Sequence, residues 1–389
     1  MKLAVVTPIP TPYRDPFWAA VSRQADVDLH VYYCSSGKSD RPWNGDWSQA
    51  FAAEVLKGCN LSAWRGCEAS CYWNPDVARR LRDGKFDAIV LGGYNHPTMW
   101  STIRHARTRD IPLFLMCESH SWRRRNSLRR RLKQIPVQWL VSRCAGTFPT
   151  GSLAEQYLLQ YGAAPKSLTR IPNVPDVIQL QQTTSVLRNS RAELRRRHTV
   201  DDRPTVLFAG RLISKKRAGL LIESFYKVRQ KHDAQLIIVG DGPERAAHQR
   251  RVEQLDLSQD VHFTGFVQPH EMPVWYAMAD LFVLPSSETW GVVVLEALAA
   301  GLPVIITNEV GCHPDVVVDR LLGDVIPAGD ENVLTAALQN HLARPTNPET
   351  IHTAWAAVRE SLRYEVLARR FIDRLQKQRS KPITGARAA

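Results

Sequence analysis

The sequence predicts an α/β protein made of two domains, each built around a parallel sheet. Short apolar runs alternate with helix-length amphipathic stretches along the chain, which is typical of parallel strands joined by crossover helices. The chain has 389 residues, too many for one ordinary hydrophobic core, and this length favours two domains. Prolines interrupt the alternation at residues 171–175, so we place the domain boundary there.

Each half contains five apolar runs that we interpret as strands. They lie at residues 3–7, 29–33, 86–91, 113–117 and 145–149, and then at 205–209, 236–239, 261–263, 281–284 and 304–306. We therefore expect domains at 1–175 and 204–354. The intervening 176–203 is predicted to be an irregular linker because residues 179–190 are polar. A last amphipathic helix is expected at about 355–377, followed by a basic tail.

Composition points to a globular cytoplasmic protein. Hydrophobic residues make up 44% and charged residues 23% of the chain, and no apolar run reaches the 18 residues that a membrane-spanning helix needs. The apolar start at residues 1–7 is cut short by Pro8 and Pro10, so it predicts a buried strand rather than a signal peptide. Seven cysteines without a C-x-x-C pair indicate reduced thiols.

The net charge of +13 indicates anionic partners. Seven cations lie within residues 123–133, interleaved at helical spacing with Leu128, Leu132, Ile135 and Trp139. We expect a basic amphipathic helix at 123–139 that docks at an anionic membrane surface, on the inner membrane face, or on an anionic acceptor. The alternative is that its apolar face packs on the protein's own sheet while the arginines are solvated. Nucleic acid is not an expected partner, because no zinc-finger or RNA-recognition pattern is present.

Ligands of parallel sheets bind at the carboxyl ends of the strands, so the following turns are the place to search for chemistry. The strand at 205–209 leads into Gly210, Arg211 and, five residues later, Lys216. Arginine offers a planar fork for phosphate oxygens and lysine a compact charge. Cations in a first helical turn oppose the helix dipole, which favours an anionic ligand over a merely solvated helix start.

The strongest signal follows the strand at 281–284. Glu288 precedes a helix that should begin near Gly291, whose free N–H groups suit a phosphate, and Glu296 lies further along that helix. A glutamate in so apolar a helix is costly to bury without partners. We expect it to bind ligand hydroxyls rather than backbone groups and water. A sugar nucleotide has hydroxyls at both ends and a diphosphate between them. The two carboxylates match the hydroxyls, and the amides and cations between them match the diphosphate.

Together these motifs resemble the family 4 retaining glycosyltransferases of the GT-B fold. The matching pieces are Gly210-Arg211-Leu212 with Lys216, Gly240-Asp241-Gly242, Thr264-Gly265-Phe266, Ala279-Asp280, the E-x7-E pair Glu288 and Glu296, and Ala300-Gly301-Leu302-Pro303-Val304. The resemblance implies two Rossmann-like domains with a donor/acceptor cleft between them and a C-terminal helix that crosses back to the first domain. Acceptor recognition then belongs to the first domain and donor binding to the second.

The resemblance also implies roles for individual residues. Arg211 and Lys216 would hold the donor diphosphate, Glu288 would meet the donor sugar and Glu296 the ribose. The other donor-binding residues that it implies are Gly210, Gly240, Gly242, Phe266, Trp290, Gly291 and Val292. Family members carry a histidine in the first domain that faces the donor sugar. His120 after the strand at 113–117 is the best-placed candidate for this catalytic role, and Glu118 and His96 are the alternatives.

Three features depart from the family pattern. The loop at residues 8–14 lacks the paired glycines of relatives, Arg217 replaces a glycine after the lysine, and Thr289-Trp290 replaces Gly-Phe. None of them removes a charged group that would bind ligand.

The expected activity is transfer of a sugar, with retention of configuration, from a nucleoside-diphosphate sugar to a hydroxyl of a glycan, lipid-linked or small-molecule acceptor. No metal or cofactor is expected, because Arg211 and Lys216 can neutralise the diphosphate. The alternatives are a sugar-nucleotide-binding protein without activity and an epimerase or phosphorylase of the same architecture. A nicotinamide or flavin oxidoreductase is disfavoured, since no G-x-G-x-x-G follows the first strand of either half.

Overall fold

The chain divides into two compact units. The computed structural model describes residues 1–37, 50–62, 70–120 and 127–379. The N-terminal unit comprises residues 1–173 and the C-terminal segment from Tyr364, and the C-terminal unit comprises residues 174–363. Several sequence expectations fall outside the described residues, namely those for Arg123, Arg124, Arg125 and Cys67 and for most of the basic tail.

The N-terminal unit contains a six-stranded parallel sheet and a small hairpin. The strands in chain order are β1 (Lys2–Thr7), β2 (Asp28–Tyr33), β3 (Ala52–Val55), the hairpin strands β4 (Cys59–Asn60) and β5 (Tyr72–Trp73), β6 (Ala88–Leu91), β7 (Leu113–Cys117) and β8 (Gly146–Pro149). The sheet order is β3-β2-β1-β6-β7-β8. Its helices are α1 (Asp15–Ser22), α2 (Val77–Gly84), α3 (Pro97–Thr108), α4 (Ser127–Val141) and α5 (Ser152–Gln160).

The C-terminal unit repeats this plan. Its strands are β9 (Thr205–Ala209), β10 (Gln235–Val239), β11 (Val261–Gly265), β12 (Leu281–Leu284), β13 (Val304–Thr307) and β14 (Gly323–Ile326), in the order β11-β10-β9-β12-β13-β14. Its helices are α6 (Val177–Arg188), α7 (Arg191–Arg197), α8 (Ala218–Arg229), α9 (Arg245–Gln254), α10 (Met272–Met278), α11 (Val292–Ala299), α12 (His313–Val316), α13 (Glu331–Ala343) and α14 (Pro348–Ser361). The central strands are buried along their whole length, which explains their continuous apolar runs.

Both sheets have the doubly wound order 3-2-1-4-5-6. In each, chain direction across the sheet reverses next to the first strand, so the crevice that takes ligands in such sheets lies between β1 and β6 or between β9 and β12. The predicted fold class is therefore correct in its strands and crossovers. The edge strands β3 and β14 were not predicted, because β3 is largely exposed and β14 has only two buried residues, at its ends.

The prediction of an irregular linker at 176–203 is wrong, because α6 and α7 occupy that stretch. The Asp176 side chain caps α6 by accepting a hydrogen bond from the backbone N–H of Gln179 at 2.9 Å. On α6, Val177 and Thr184 are buried, and the mostly exposed α7 buries Arg195. Because α6 buries a threonine and α7 buries an arginine, neither helix shows a helical period of apolar residues. Their sequences therefore look like a polar connection.

The predicted single C-terminal helix consists of two helices in different units. The first, α14, belongs to the C-terminal unit, and α15 (Tyr364–Arg379) belongs to the N-terminal unit. The Phe371 ring of α15 packs against Phe17 and Trp18 of α1, with centroids 5.5 and 5.7 Å apart, and against Phe148 at 4.6 Å. The closing segment thus completes the core of the N-terminal unit.

No helix within the described residues has the length and apolar character required to cross a membrane.

Candidate donor site

Two loops of the C-terminal unit meet at its topological switch point. One follows β9 and contains Gly210, Arg211 and Lys216, and the other follows β12 and contains Glu288. They are joined through the backbone, because the N–H of Ser287 donates to the carbonyl of Lys215 at 3.0 Å. Lys216 and Glu288, which the sequence places 72 positions apart, are therefore neighbours at the ligand-binding edge of the sheet.

The centre of this site is an ion pair between Lys216 and Glu288. The lysine Nζ lies 2.5 Å from the glutamate Oε1, and each side chain is only 14% exposed. The Glu288 backbone is also fixed, since its N–H donates to the Glu309 carbonyl at 3.0 Å and its carbonyl accepts from Gly311 at 3.1 Å. Removing either member of such a pair leaves an uncompensated charge in a poorly solvated place. A ligand with both phosphate and hydroxyl groups can satisfy the two members separately.

Glycines allow the neighbouring loops to approach the β9 loop closely. A Cβ added to Gly240 would lie 2.0 Å from the Gly210 carbonyl oxygen, and one added to Gly242 would lie 2.4 Å from the Leu212 oxygen. Gly240 also has a φ of +134°, which L side chains rarely adopt. A Cβ added to Gly210 would lie 3.4 Å from the Lys216 side chain, so the lysine passes close to this glycine. The Gly240-Asp241-Gly242 turn is thus required by packing, whether or not its backbone also contacts a donor.

Arg217 occupies the position where the family pattern has glycine, and its backbone explains that pattern. Its φ of +52° is left-handed, a conformation that glycine adopts without strain. The side chain compensates, because its guanidinium pairs with Glu309 Oε2 at 2.6 Å and donates to the Pro285 carbonyl at 3.1 Å. Arg217 therefore ties the β9 loop to the segments that follow β12 and β13.

Helix α11 begins where the sequence predicts. Gly291, with a φ of +111°, is its N-cap residue, and as a glycine it has no side chain to cap the N–H groups of the first turn. Val292 is the first helical residue and is half-buried. A Cβ on Gly291 would come within 2.8 Å of a Val310 methyl, so this entrance also depends on glycine.

Glu296 is held by a residue that the sequence analysis missed. The Tyr276 hydroxyl, from α10, donates to Glu296 Oε2 at 2.6 Å. Burial raises the pKa of the Glu296 carboxyl, and the Tyr276 hydrogen bond opposes this rise. We expected ligand hydroxyls, or else backbone and water, as the partners, and the structure adds a tyrosine to them. The sequence signal that could have indicated Tyr276 is its hydroxyl group within an otherwise apolar short helix.

The two aromatic candidates differ in exposure. Phe266 follows β11 and is 41% exposed, whereas Trp290 is only 4% exposed. An exposed ring at the carboxyl edge of a sheet is available to stack on a base. The Trp290 backbone contributes instead to the wall of the site, since its carbonyl accepts a hydrogen bond from the N–H of Cys312 at 2.9 Å. Their assignment as donor-binding residues stays a prediction.

The three candidates of the first domain lie at the carboxyl edge of the N-terminal sheet. His96 is the N-cap residue of α3, where its Nδ1 accepts from the backbone N–H of Tyr72 at 3.3 Å and its ring contacts the Tyr72 ring. These contacts favour a structural role for His96. His120 and Glu118 follow β7. Glu118 is exposed and His120 is partly buried.

No group of three or more histidine, cysteine, aspartate or glutamate side chains in the described part of the chain is arranged to hold a metal ion.

Known proteins resemble this chain in sequence and in fold. Residues 190–354 match the family described as "Glycosyl transferases group 1". The chain is 33% identical over 307 residues to a GDP-mannose-dependent alpha-(1-6)-phosphatidylinositol monomannoside mannosyltransferase of Mycolicibacterium smegmatis, covering 76% of this chain and 71% of that protein. It is 31% identical over 173 residues to the alpha-monoglucosyldiacylglycerol synthase of Streptococcus pneumoniae, covering 44% and 37% of the two chains.

The fold is similar to that of the Anabaena protein HepE, solved in complex with UDP. The TM-score is 0.74 at 16% sequence identity, over 97% of this chain and all of the other. At this identity the likeness concerns the fold, and it agrees with the paired parallel sheets described above. The extent of the mannosyltransferase match, together with the family match over the donor site, means that this chain belongs to the group 1 glycosyltransferases and is a glycosyltransferase of the GT-B fold.

Proposed function

We propose that the protein transfers a sugar, with retention of configuration and without a metal ion, from a nucleoside-diphosphate sugar to a hydroxyl of a glycan or lipid-linked acceptor. The observation that carries this proposal is the Lys216–Glu288 ion pair at the switch point of the C-terminal sheet. It presents a cation for a diphosphate and a carboxylate for sugar hydroxyls at one point. In this proposal, Arg211 of the Lys216 loop and the N–H groups at the start of α11 supply further positive charge to the diphosphate.

The assignment of the two glutamates follows from their surroundings. Glu288 shares its site with a cation, so it suits the end of the donor where the sugar joins the diphosphate. Glu296 lies a little over one turn into α11 and shares its carboxylate with the neutral Tyr276 hydroxyl. Such a site suits the hydroxyls of a ribose, which donate to a carboxylate without charge neutralisation.

The reaction that we propose needs no carboxylate nucleophile. The acceptor oxygen forms a bond to the anomeric carbon on the face from which the diphosphate leaves. The bond between that carbon and the phosphate oxygen breaks, and the hydroxyl proton passes to the departing phosphate. Arg211, Lys216 and the α11 N–H groups stabilise the negative charge that develops on the diphosphate. His120 is our candidate for contact with the donor sugar.

The transfer itself is tested with two donors that the relatives suggest. Purified protein is incubated with GDP-mannose or UDP-glucose and with methyl α-D-mannopyranoside, methyl α-D-glucopyranoside or phosphatidylinositol in vesicles. We expect one donor to give a glycoside whose anomeric proton coupling matches that of the donor. A product of inverted configuration would overturn the retaining mechanism, and nucleotide-sugar binding without any product would favour the binding-protein alternative.

Donor binding should not require a divalent ion. Lys216 and Arg211 supply the positive charge that a metal provides elsewhere, so we expect the nucleoside diphosphate to bind equally well in EDTA and in magnesium. Titration calorimetry with GDP and UDP measures this directly. Binding that is seen only with magnesium or manganese would contradict the metal-independent proposal.

The two glutamates should differ when each is changed to glutamine. Glu296→Gln should lower the affinity for the free nucleoside diphosphate about tenfold, the cost of one hydrogen bond to a charged group. Glu288→Gln should leave that affinity within about threefold and reduce kcat by about 100-fold, because its partner is the sugar at the reacting end. Calorimetry and steady-state kinetics separate the two effects. If both variants lost nucleotide affinity equally, the assignment of Glu296 to the ribose and Glu288 to the sugar would be wrong.

We also propose that α4 and its flanks dock the enzyme on an anionic membrane. Helices α3 and α4 contain no carboxylate, and Ile135 is 73% exposed. The guanidinium groups of Arg107 and Arg143 lie 4.9 and 4.8 Å from the Trp139 ring. The opposite side of α4 contributes Val137, Leu140 and Val141 to the core, so packing on the protein's own sheet and docking are compatible.

Vesicle binding should be lost when Arg123, Arg124 and Arg125 are changed to serine. Each cation near an anionic surface contributes about 1 kcal/mol, so the triple variant should bind vesicles of anionic lipid more than tenfold more weakly. The control of equal charge changes Arg196, Arg250 and Arg320, which are exposed on the C-terminal unit, and should bind normally. Co-sedimentation at low and high salt measures both. Equal binding to neutral and anionic vesicles would contradict docking.

A further inference from the structure

Two buried side chains hold a half-exposed carboxylate at the carboxyl edge of the N-terminal sheet. Glu118 follows β7, and its Oε1 accepts hydrogen bonds from Asn173 Nδ2 at 2.6 Å and from the Arg14 guanidinium at 3.5 Å. Asn173 is 2% and Arg14 9% exposed, whereas the Glu118 side chain is 48% exposed. A glutamate at the surface needs no buried partners for stability, so this arrangement fixes its direction.

Burial of Arg14 is costly, and Glu118 is the principal group that offsets the cost. Desolvation lowers the pKa of the Arg14 guanidinium, while the charge of Glu118 raises it most, followed by Tyr13 and Asp15. The Asp15 carboxylate already accepts a hydrogen bond from the Tyr33 hydroxyl at 2.9 Å. The Arg14 guanidinium also contacts Met116 Sδ at 3.7 Å. The Arg14 guanidinium therefore orients Glu118 and does not form a binding site for a separate anion.

The position of the pair is the place where a doubly wound sheet binds its ligand. Arg14 lies between β1 and α1, and Glu118 follows β7, so their contact passes over the end of the intervening β6. This is the β1–β6 switch point of the N-terminal unit. Both hydrogen bonds reach Oε1, and within the described residues Oε2 accepts none. The second oxygen is left to accept a hydrogen bond from a ligand.

We propose that Glu118 binds a hydroxyl group of the acceptor through Oε2, and that Arg14 and Asn173 are its positioning residues. This inference rests on the proposed transfer reaction and adds an acceptor class to it, a polyhydroxylated sugar or cyclitol. A carboxylate with one oxygen fixed accepts strongly and directionally from a hydroxyl. It discriminates against acceptors that lack that hydroxyl, because the carboxylate would then lose its partner.

Glu118→Gln separates this role from a structural one. The amide oxygen of glutamine can still accept from Asn173 and Arg14, so the loops stay tied, but an NH2 group replaces Oε2. We expect the KM for the acceptor to rise about 10- to 100-fold, with the donor KM and the melting temperature unchanged. The acceptor probe is whichever of methyl α-D-mannopyranoside, methyl α-D-glucopyranoside and phosphatidylinositol the wild type glycosylates. Glu155→Gln, which changes an ion pair with Arg170 in the same unit, is the control and should leave both KM values unchanged.

Monodeoxy derivatives of the same acceptor provide the second measurement. In the wild type, loss of one particular hydroxyl should raise KM about as much as Glu118→Gln does, and in the Glu118→Gln enzyme the same deletion should add little. An unchanged acceptor KM in Glu118→Gln, or deoxy effects that simply add, overturns the inference and leaves the transfer reaction standing. Absence of transfer by the wild type itself would instead overturn the proposed function.

Discussion

Lys216→Ala should reduce kcat/KM for sugar transfer by about 1000-fold while the protein stays folded. A preorganised donor aimed at charge that develops in the transition state contributes about 100- to 1000-fold to turnover. The substitution also leaves the Glu288 carboxylate, 14% exposed, without its cation. Such an unpaired charge repels a diphosphate, so nucleotide affinity should fall with the rate. Steady-state kinetics and calorimetry with the nucleoside diphosphate measure both losses.

Lys215→Ala is the matched control for this prediction. Lys215 precedes Lys216 in the same short helical turn, but its side chain is exposed, and its removal changes the net charge by the same amount. The backbone carbonyl of Lys215 accepts a hydrogen bond from the N–H of Ser287, and alanine keeps this contact. We expect less than threefold change in this variant. Similar losses in the two variants would mean that the loop attracts the donor by general charge, and the assignment of Lys216 would be wrong.

Gly240→Ala should lower the free energy of unfolding of the C-terminal unit by about 3 kcal/mol and weaken nucleotide binding as well. The added Cβ would lie 2.0 Å from the Gly210 carbonyl oxygen, at a φ of +134°. Strain of this kind costs about 1 to 3 kcal/mol before the contact is counted. The β9 loop must move to relieve the contact, and Lys216, which belongs to the same loop and whose side chain passes close to Gly210, moves with it. Denaturant unfolding and calorimetry give the two quantities.

Gly329→Ala separates the backbone conformation from the close contact. Gly329 also has a positive φ, of +81°, but an added Cβ would meet nothing within 4 Å. We expect it to cost about 1 kcal/mol, the usual penalty for a left-handed L residue, with nucleotide affinity unchanged. If Gly240→Ala is no more costly than Gly329→Ala, the turn after β10 is not packed on the β9 loop as described.

The sequence predicted the central strands of both sheets because they are buried on both faces. A strand such as β9 or β12 is apolar at every position, and no helix period competes with such a short run. The edge strands β3 and β14 lack this signal, unlike the edge strand β8, which is buried throughout. The strand β3 is mostly exposed, and β14 begins with a glycine and buries only its two ends, so neither has a continuous apolar run.

The sequence analysis missed helices α6 and α7 for a related reason. Arg195 is 4% exposed, yet the sequence cannot distinguish it from a solvated arginine, because its partners come from distant segments. Its guanidinium donates to the Met278 carbonyl at 2.8 Å and to Asp280 Oδ2 at 3.2 Å. The same contacts account for the Ala279-Asp280 motif, since the Asp280 carboxylate also accepts from the backbone N–H of Thr205 at 2.9 Å. Polar burial of this kind depends on partners that only the folded chain supplies.

The sequence by itself determined the fold class, the family and the order of the donor-site motifs, because these depend on local runs, glycines and charges at fixed spacing. The tertiary structure alone decided which of those groups touch. It joined Lys216 to Glu288 and gave Glu296 a hydrogen bond from Tyr276. It also oriented Glu118 through Arg14 and Asn173. Such contacts link strand ends far apart in the chain, and only the order of strands in each sheet brings those ends together.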